Sequence, residues 1–492
     1  MIPTIRPKIE LLSPELVATI VDEGLDVLEW QGVFVENEEA LRLFEDAGTK
    51  VDRPSRRVFI ARRLVEQSLA TTPSTITLHD RRAERSYAVG GDEIHFDPGS
   101  AAVKILDYRD QAERPAVTDD LVRFVRLTDG LDNLHFQSTG LVSGDVPDII
   151  ADSYRLYLGL LFSSKPVVTG TFKVAGFEPM RDMLQAVRGG AGALRDKPLA
   201  IFDACPSPPL KWSNLTSQSL IDCARAGIPS ELISMGMTGA TSPVTLAGTL
   251  VQHTAENLAG LVICQLAKPG ARVIFGGSPS SFDMRTGTTP MGAIETMMID
   301  VGYAQIAKSL HLPTHAYMSL SDAKQNDYQA GVETALGAVL AGLAGINVIS
   351  GPGMLDFESC QSLEKLVIDN ETCGMIDRLV KGISPREQPL AKHLFEAILK
   401  GGEFLTLPHT RQWFRREHVY PRIADRDTYD TWVASGRKAM NDRAHEEVER
   451  LLTARPIDRP SPGVVSELTK IMKAEAGRHG LGSLPRIKEL EA

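Results

Sequence analysis

Eight short apolar runs alternate with longer helical patterns between about residues 121 and 420. The runs cover residues 134–137, 167–171, 199–203, 232–235, 273–275, 315–318, 347–349 and 404–407. A parallel strand covered by helices reads as a short apolar run, and each parallel connection needs a crossover. Eight such units over roughly 280 residues predict a (β/α)8 barrel. An open doubly wound sheet is the alternative, although the sequence contains no G-x-G-x-x-G or G-x-x-x-x-G-K-[ST] loop to support its nucleotide-binding forms.

The rest of the chain predicts additions at both ends of this barrel. Residues 1–115 combine helical patterns with short strands and are interpreted as an N-terminal α+β module. Residues 116–420 would form the catalytic barrel, and residues 421–492 a C-terminal helical extension. The predicted fold class is therefore α/β, a TIM barrel with an N-terminal α+β module and C-terminal helical additions.

Composition narrows the classes of function. A hydrophobic content of 43% and a charged content of 24% are typical of globular proteins. The net charge of -10 gives no broad attraction to nucleic acid or anionic membranes. The N-terminus lacks the features of a secretory signal, and the apolar region at 334–349 is too short and glycine-rich to span a membrane. We expect a cytoplasmic protein without nucleic-acid or membrane partners, and a homo-oligomer is possible because large barrels often assemble symmetrically.

Cysteine and histidine spacing predicts no metal site. The five cysteines are widely spread without a C-x-x-C pair, and no H-E-x-x-H motif occurs. Cys205, which follows the third predicted strand, is interpreted as a packed thiol, with a thiolate nucleophile as the alternative.

The densest group of polar side chains is the stretch YMSLSDAKQNDYQAGVE at 317–333, where an apolar run meets a helical pattern. Barrels place their chemistry on such loops, because the residues after each strand converge on one mouth. We predict Asp322, Lys324 and Asp327 as catalytic residues. A Schiff base on Lys324 is an alternative chemistry, but the neighbouring carboxylates favour a protonated amine.

Three motifs resemble the trimethylamine methyltransferase family. They are GGSPSSFDMRTG at 276–287, SDAKQNDYQAGVE at 321–333 and SLEKLVIDNE at 362–371, and the N-terminal GVFVENEEALRLFEDAGTKVD extends the resemblance over nearly the whole chain. The resemblance implies a (β/α)8 barrel that moves a methyl group from a methylated amine to cob(I)alamin on a separate small corrinoid protein. The D-x-H-x-x-G motif of such carriers is missing from this sequence. The corrinoid is therefore expected from the partner, with no metal bound by this chain.

The resemblance also implies a substrate class. Founding members of the family carry pyrrolysine, whereas this chain has only standard residues and is similar to the branch that acts on quaternary amines such as glycine betaine. Loss of a methyl group from a quaternary amine expels a neutral amine, so the enzyme mainly supplies orientation and electrostatics. The alternatives are a noncatalytic methylated-amine binding protein and a methyltransferase for another betaine, such as proline betaine or carnitine.

A quaternary cation is expected against aromatic rings, and the carboxylate of a betaine requires hydrogen-bond donors. Gly277 and Ser278 would offer backbone amides to an anion, with a tight turn as the alternative. The predicted substrate-binding residues are Phe96, His135, Asp203, Gly277, Ser278, Phe282, Tyr317, Gln325, Phe357, His409 and Trp413.

Overall fold

Eight parallel strands form a closed barrel in the computed structural model, which describes residues 3–491. In order around the barrel they are His95–Asp97, Gln137–Ser138, Val167–Thr169, Ala200–Ala204, Ser230–Ser234, Val273–Gly277, His315–Tyr317 and Val348–Ser350. The second to sixth strands pair in parallel in this order, the seventh pairs with the eighth, and the eighth pairs with the first. The predicted (β/α)8 barrel is confirmed.

Backbone hydrogen bonds complete the ring at its two weakest junctions. Between the first and second strands, the amides of His135 and Phe136 donate to the carbonyl oxygen of Phe96 at 2.8 and 3.3 Å. Between the sixth and seventh strands, the amide of Phe275 donates to the carbonyl oxygen of Pro313 at 2.9 Å. The ring is thus continuous, and all its strands point their carboxyl ends the same way.

One of the eight predicted strands is wrong. Residues 404–407 contain the short 3-10 helix Phe404–Thr406, which is followed by a helix that begins at Pro408. The strand that takes its place in the barrel is His95–Asp97, which lies in the predicted N-terminal module. Its apolar signal is weak because His95 and Asp97 alternate with one apolar residue. The division into three parts at residues 115 and 420 stays a prediction.

Side-chain caps fix several helix starts. The caps with a side-chain oxygen bonded to a backbone amide are Ser13, Asn37, Ser213, Asp327, Thr428, Ser362 and Ser461. The α-helices are Pro14–Asp26, Glu38–Asp46, Arg62–Thr71, Thr118–Gly130, Asp148–Phe162, Phe177–Arg188, Ala191–Asp196, Asn214–Ala226, Leu246–Ala267, Ile294–Ser309, Tyr328–Ala344, Leu363–Val380, Phe395–Leu399, Pro408–Glu417, Tyr429–Ala434, Met440–Ala454, Pro462–Arg478 and Lys488–Glu491. Single helical turns occur at Val27–Gln31, Val174–Gly176, Lys392–Leu394 and Phe404–Thr406.

The additions cover the outer helices of the barrel. The first three helices of the chain pack on Leu246–Ala267, which is why that helix is apolar on nearly all sides. Met440–Ala454 and Pro462–Arg478 pack on barrel helices at the other side of the ring. The strands outside the barrel are Val33–Val35, Lys50–Asp52, Arg57–Phe59, Thr75–His79, Ser86–Gly90, Lys104–Leu106, Glu113–Pro115, Lys211–Trp212, Met237–Thr238, Ser280–Ser281, Met354–Leu355 and Cys360–Gln361. Within the described part of the chain, every helix is too short or too polar to cross a membrane.

A β-hairpin closes the amino end of the barrel. Thr75–His79 pairs antiparallel with Ser86–Gly90. Its apolar side chains join those of barrel strands in a separate buried cluster, which contains Ile76, Leu78, Val89, Phe136, Val168, Ile201, Ile274 and Val348. Because this plug fills one end, only the carboxyl end of the barrel is left for a ligand.

We expect Leu78→Ala to destabilise the fold by about 2–5 kcal/mol, because Leu78 is only 1% exposed within the plug. The matched control is Leu405→Ala, since Leu405 is 78% exposed and its loss should change stability by no more than about 0.5 kcal/mol. Urea denaturation followed by circular dichroism measures both. Equal losses of unfolding free energy in the two variants would contradict the conclusion that Leu78 packs in a buried plug.

Candidate active site

Carboxyl groups face the barrel interior on the carboxyl side of the plug. Side chains two residues apart in a strand face the same side. Ile201 belongs to the plug cluster, so Asp203 also faces inward, and Val348 places Ser350 in the same way. Along these two strands the interior therefore changes from apolar to polar.

Direct contacts connect this polar layer. Asp97 accepts a hydrogen bond from Oγ of Ser350 at 2.9 Å, and that hydroxyl lies 3.1 Å from Nε2 of His315. Nδ1 of His315 lies 2.9 Å from Oε1 of Glu231, without the alignment of a hydrogen bond. The ring of Tyr317 packs edge-on against that of His315, with 4.8 Å between the centroids. Side chains from the first, fifth, seventh and eighth barrel strands thus share one polar cluster.

Burial controls the protonation of these groups. It raises the pKa of Asp97, Asp203 and Glu231 well above the ordinary range, and the charge of Glu231 raises the first two further. Burial lowers the pKa of His315 to about 3, so its imidazole is neutral at physiological pH. Without a ligand the cluster therefore favours neutral acids.

Several oxygens of these acids have no hydrogen-bond partner within the described residues. They are Oδ1 of Asp97, Oδ1 of Asp203, both carboxyl oxygens of Glu231 and Oε1 of Glu358. Leaving a buried acceptor unpaired costs about 1–3 kcal/mol, so such groups are rare unless they serve a ligand. These oxygens are available to a positively charged group.

One guanidinium reaches the same region. Arg155 comes from the helix Asp148–Phe162 and is 2% exposed. Its Nη1 donates to the carbonyl oxygen of Thr139 at 2.7 Å, and the ring of Phe172 lies 4.3 Å away. Its Nε has no hydrogen-bond partner. Burial lowers the pKa of Arg155 to about 10, and the charges of Asp152 and then Asp203 oppose that shift, so the group remains cationic.

A hairpin that follows the eighth strand extends over the mouth. Met354–Leu355 pairs with Cys360–Gln361, and its turn contains three consecutive residues with positive φ, namely Asp356 at 48°, Phe357 at 55° and Glu358 at 64°. Each such non-glycine residue costs about 1–3 kcal/mol and persists only where its surroundings enforce it. Burial raises the pKa of Glu358 well above its usual range, and the charges of Asp97 and Asp203 add to this shift. The turn thus contributes a fourth acid to the cluster.

The predicted site residues divide into those near this cluster and those elsewhere. Asp203 and Tyr317 lie within it, and Phe357 lies in the turn above it. Lys324 stands at the mouth, where its Nζ lies 3.2 Å from Oδ1 of Asp356 and 3.8 Å from the centroid of the Phe357 ring.

The other predicted catalytic residues support the backbone of the loops. Asp322 accepts hydrogen bonds from the amides of Met291 and Gly292, both at 2.9 Å, and burial raises its pKa to about 6. Asp327 caps the helix Tyr328–Ala344. Gln325 is exposed on the same loop. Their catalytic or binding roles stay predictions.

Two predicted binding residues face away from the cluster. Phe96 alternates with the inward-facing Asp97 and is fully buried in the main core outside the barrel. His135 lies at the amino end, where its ring centroid is 5.2 Å from that of His95 and 6.3 Å from that of Tyr87 in the plug. Burial lowers the pKa of His135 to about 3.

His409 and Trp413 lie on a helix, because no eighth strand forms at 404–407. His409 Nε2 lies 3.2 Å and Trp413 Nε1 3.4 Å from Glu387, beyond the last barrel helix. The structure therefore does not bring either residue to the mouth.

The glycine-rich segment after the sixth strand forms sheet and turn structure. Gly277 ends the strand, and a side chain there would collide with His253. The amide of Ser278 donates to the carbonyl oxygen of Ser234 at 2.9 Å, so it is not free for an anion. The amide of Phe282 lies 3.4 Å from Oγ1 of Thr238, its acceptor, and the ring is partly exposed.

Sequence reasoning missed Asp97, Glu231, Arg155 and Glu358. Glu231 stands in the run SELIS, where a carboxylate inside an otherwise buried strand was the available signal. Arg155 similarly interrupts a helix that is buried on nearly every side.

The described residues bear on two other chemistries, metal binding and thiol catalysis. Within residues 3–491, no group of three or more His, Cys, Asp and Glu side chains is placed to hold a metal ion. Burial raises the pKa of Cys205 to about 12, which favours a packed thiol over a thiolate.

Comparisons with known proteins place this geometry in context. The sequence profile of the trimethylamine methyltransferase family matches residues 1–473. Trimethylamine methyltransferase MttB of Desulfitobacterium hafniense strain DCB-2 is 34% identical, with 89% of this chain and 88% of the relative covered. A glycine betaine methyltransferase of strain Y51 is 32% identical over 91% and 93% of the two chains. The crystal structure of the Methanosarcina barkeri monomethylamine methyltransferase has the same fold, with a TM-score of 0.54, 10% identity and coverage of 97% and 90%.

Glu231 should make stability depend on pH. Above about pH 4.3 the unfolded chain releases the proton of this carboxyl group, whereas the folded protein retains it because burial raises the pKa. Folding then takes up a proton, so the free energy of unfolding falls as pH rises. We expect Glu231→Gln to become more stable relative to the parent from pH 5 to pH 8, by up to about 1.4 kcal/mol per pH unit.

Urea denaturation at several pH values tests this expectation. Glu66→Gln on the exposed face of the helix Arg62–Thr71 serves as the control. A stability difference between Glu231→Gln and its parent that does not vary with pH would show that Glu231 is already ionised in the folded protein.

Proposed function

The chain belongs to the trimethylamine methyltransferase family and is a methyltransferase, and on this premise we propose that it transfers a methyl group from glycine betaine to cob(I)alamin on a separate corrinoid protein. The observation that carries the choice of a quaternary amine is the buried cluster of acids, several of whose oxygens have no hydrogen-bond donor among the described residues. A quaternary nitrogen has no N–H group to offer them, but its positive charge compensates theirs.

The cluster suits a tetrahedral onium group. When such a cation enters, the carboxyl groups of Asp203 and Glu231 lose their protons more readily, because an opposite charge favours the ionised form. Tyr317 presents an aromatic ring at the same depth, and cation–π attraction contributes about 0.5–2 kcal/mol per ring. Charge and aromatic surface together hold the nitrogen and orient one methyl group toward the mouth.

Arg155 favours a betaine over a simple quaternary cation. Its guanidinium is buried beside the acid cluster, and its Nε has no partner. A carboxylate two bonds from the nitrogen would take this donor in a charge-assisted hydrogen bond. A zwitterion would thus satisfy the carboxyl groups and the guanidinium at once, which supports glycine betaine over choline.

The corrinoid would supply the nucleophile that takes the methyl group, and the mouth is the side from which it can approach. Loops after the barrel strands expose large apolar side chains there, at Met235, Val244, Met284 and Tyr328. Tyr328 is 88% exposed. An exposed apolar rim of this kind is suited to a transient protein partner. In this proposal Asp322 and Asp327 shape the rim by fixing loop backbone.

The test combines the purified protein with a reduced corrinoid carrier and a panel of glycine betaine, proline betaine, carnitine, choline and trimethylamine. We expect a methyl-cobalt spectrum with glycine betaine, and a loss of at least about tenfold in kcat/KM for Asp203→Asn because a charge that faces the cation is removed. Calorimetric binding of glycine betaine without methyl transfer to any carrier would favour a noncatalytic binding protein. If another compound of the panel were demethylated and glycine betaine were not, that compound would replace glycine betaine as the proposed substrate.

The variant Arg155→Met tests recognition of the substrate carboxylate separately from recognition of its quaternary nitrogen. We expect it to weaken glycine betaine binding by about tenfold or more, because a charge-assisted hydrogen bond contributes about 1.5–3 kcal/mol. Tetramethylammonium lacks the carboxylate, so its affinity should change little in the same variant. Calorimetry with both ligands measures the difference. Equal weakening of both would mean that Arg155 supports the barrel and does not bind the carboxylate.

A further inference from the structure

The turn at residues 356–359, here called the mouth turn, is held from outside the hairpin. Its three left-handed residues include no glycine. The amide of Asp356 donates to the carbonyl oxygen of Ala323 at 3.0 Å, which ties the mouth turn to the loop after the seventh strand. Ser359 donates its hydroxyl to the backbone oxygen of Asp356 at 2.6 Å within the turn.

Lys324 makes the main side-chain contact between those two loops. Its Nζ donates to the carbonyl oxygen of Asp322 at 2.6 Å, lies 3.2 Å from Oδ1 of Asp356, and stands over the ring of Phe357 at 3.8 Å. One ammonium group therefore contacts two of the three left-handed residues, while its other contact is on its own loop. The side chain of Lys324 is 56% exposed, so it does this from the rim and not from within the cluster.

The carboxyl oxygen Oε1 of Glu358, the third left-handed residue, is buried among the described residues without a hydrogen bond. A methyl group on Gly99 would come within 3.1 Å of that oxygen. Besides burial, the charges that raise the pKa of Glu358 are those of acids, namely Asp97, Asp203, Asp300 and Asp322. Because no hydrogen bond from the described residues holds Oε1, the backbone of the mouth turn has to keep the carboxyl group in place.

We propose that Lys324 is a positioning residue that fixes the mouth turn and thereby aims Glu358 at the quaternary nitrogen of the substrate. The role in binding rests on the proposed function, whereas the contact between Lys324 and the mouth turn does not. Lys324 thus contributes to recognition through Phe357 and Asp356, at a distance from the substrate. Glu358 completes the cluster from the side of the mouth, opposite the acids of the barrel strands.

Hydrogen–deuterium exchange tests the positioning role without a ligand. Lys324→Met should increase deuterium uptake in residues 354–361, and Lys324→Arg should restore the parent pattern because it keeps a cation over the ring. The matched control is Lys104→Met, since Lys104 lies 3.7 Å from the same Asp356 carboxylate but pairs mainly with Glu113 at 2.7 Å. Unchanged uptake in Lys324→Met would overturn the proposal.

A double-mutant cycle tests the effect on binding. We expect Lys324→Met and Glu358→Gln each to weaken tetramethylammonium binding by about tenfold, and the double variant to bind no more weakly than Glu358→Gln alone, because the two residues act as one unit. Losses that multiply in the double variant would show that Lys324 acts independently of Glu358, against the proposal.

The same measurements separate the proposal from the proposed function. If Asp203→Asn weakens tetramethylammonium binding and Lys324→Met does not, only the positioning role fails. If the parent protein binds no quaternary cation, the proposed function fails, and the exchange pattern alone decides whether Lys324 fixes the mouth turn.

Discussion

The burial of several carboxyl groups together inside the barrel is the main energetic constraint on this structure. Removing an ionised carboxylate from water costs several kcal/mol unless it is paired, and Asp97, Asp203 and Glu231 have too few donors to compensate. Retaining protons lowers this cost, which is why burial raises their pKa values. A fold selected for stability alone would place apolar residues there. In the proposed function, these acids instead form a site whose negative charge develops when the substrate cation binds.

The closed ring makes this burial possible. Continuous backbone pairing leaves no strand edge, and the hairpin plug supplies apolar packing at the amino end. Along a single strand the interior changes from Ile201 in the plug to Asp203 in the site within two residues. Stability and function therefore occupy opposite ends of the same strands, so the plug can offset the cost of the acids without contact with them.

Much of the fold could be predicted from the sequence, because helices cover the outer face of the barrel and make most strands apolar. His95–Asp97 was assigned to the N-terminal module and not to the barrel, since two of its three side chains are polar and the strand does not read as an apolar run. The run at 404–407 was misread because an apolar tetrapeptide does not reveal whether a neighbouring strand exists, and here it forms a helical turn on the surface. Strand pairing is a tertiary property that local pattern does not contain.

The site was harder to predict for a related reason. Asp203 and Tyr317 end apolar runs, so their place at the mouth followed from the barrel itself. Arg155 lies on a helix, and Glu358 lies in a left-handed turn that contains no glycine to indicate it in the sequence. The position of both side chains near the cluster depends on tertiary packing between separate segments.

The charges of the acids and of Arg155 determine how the site would respond to a bound ligand. Arg155 brings one positive charge to a cluster of four acids, and most of those acids are neutral while the site is free. A zwitterion adds no net charge, yet its two ends have opposite effects: the nitrogen draws protons off the acids, and the carboxylate holds Arg155 cationic. If the proposed function holds, binding is coupled to proton release, and we expect affinity to increase as pH rises toward the raised pKa values of the cluster.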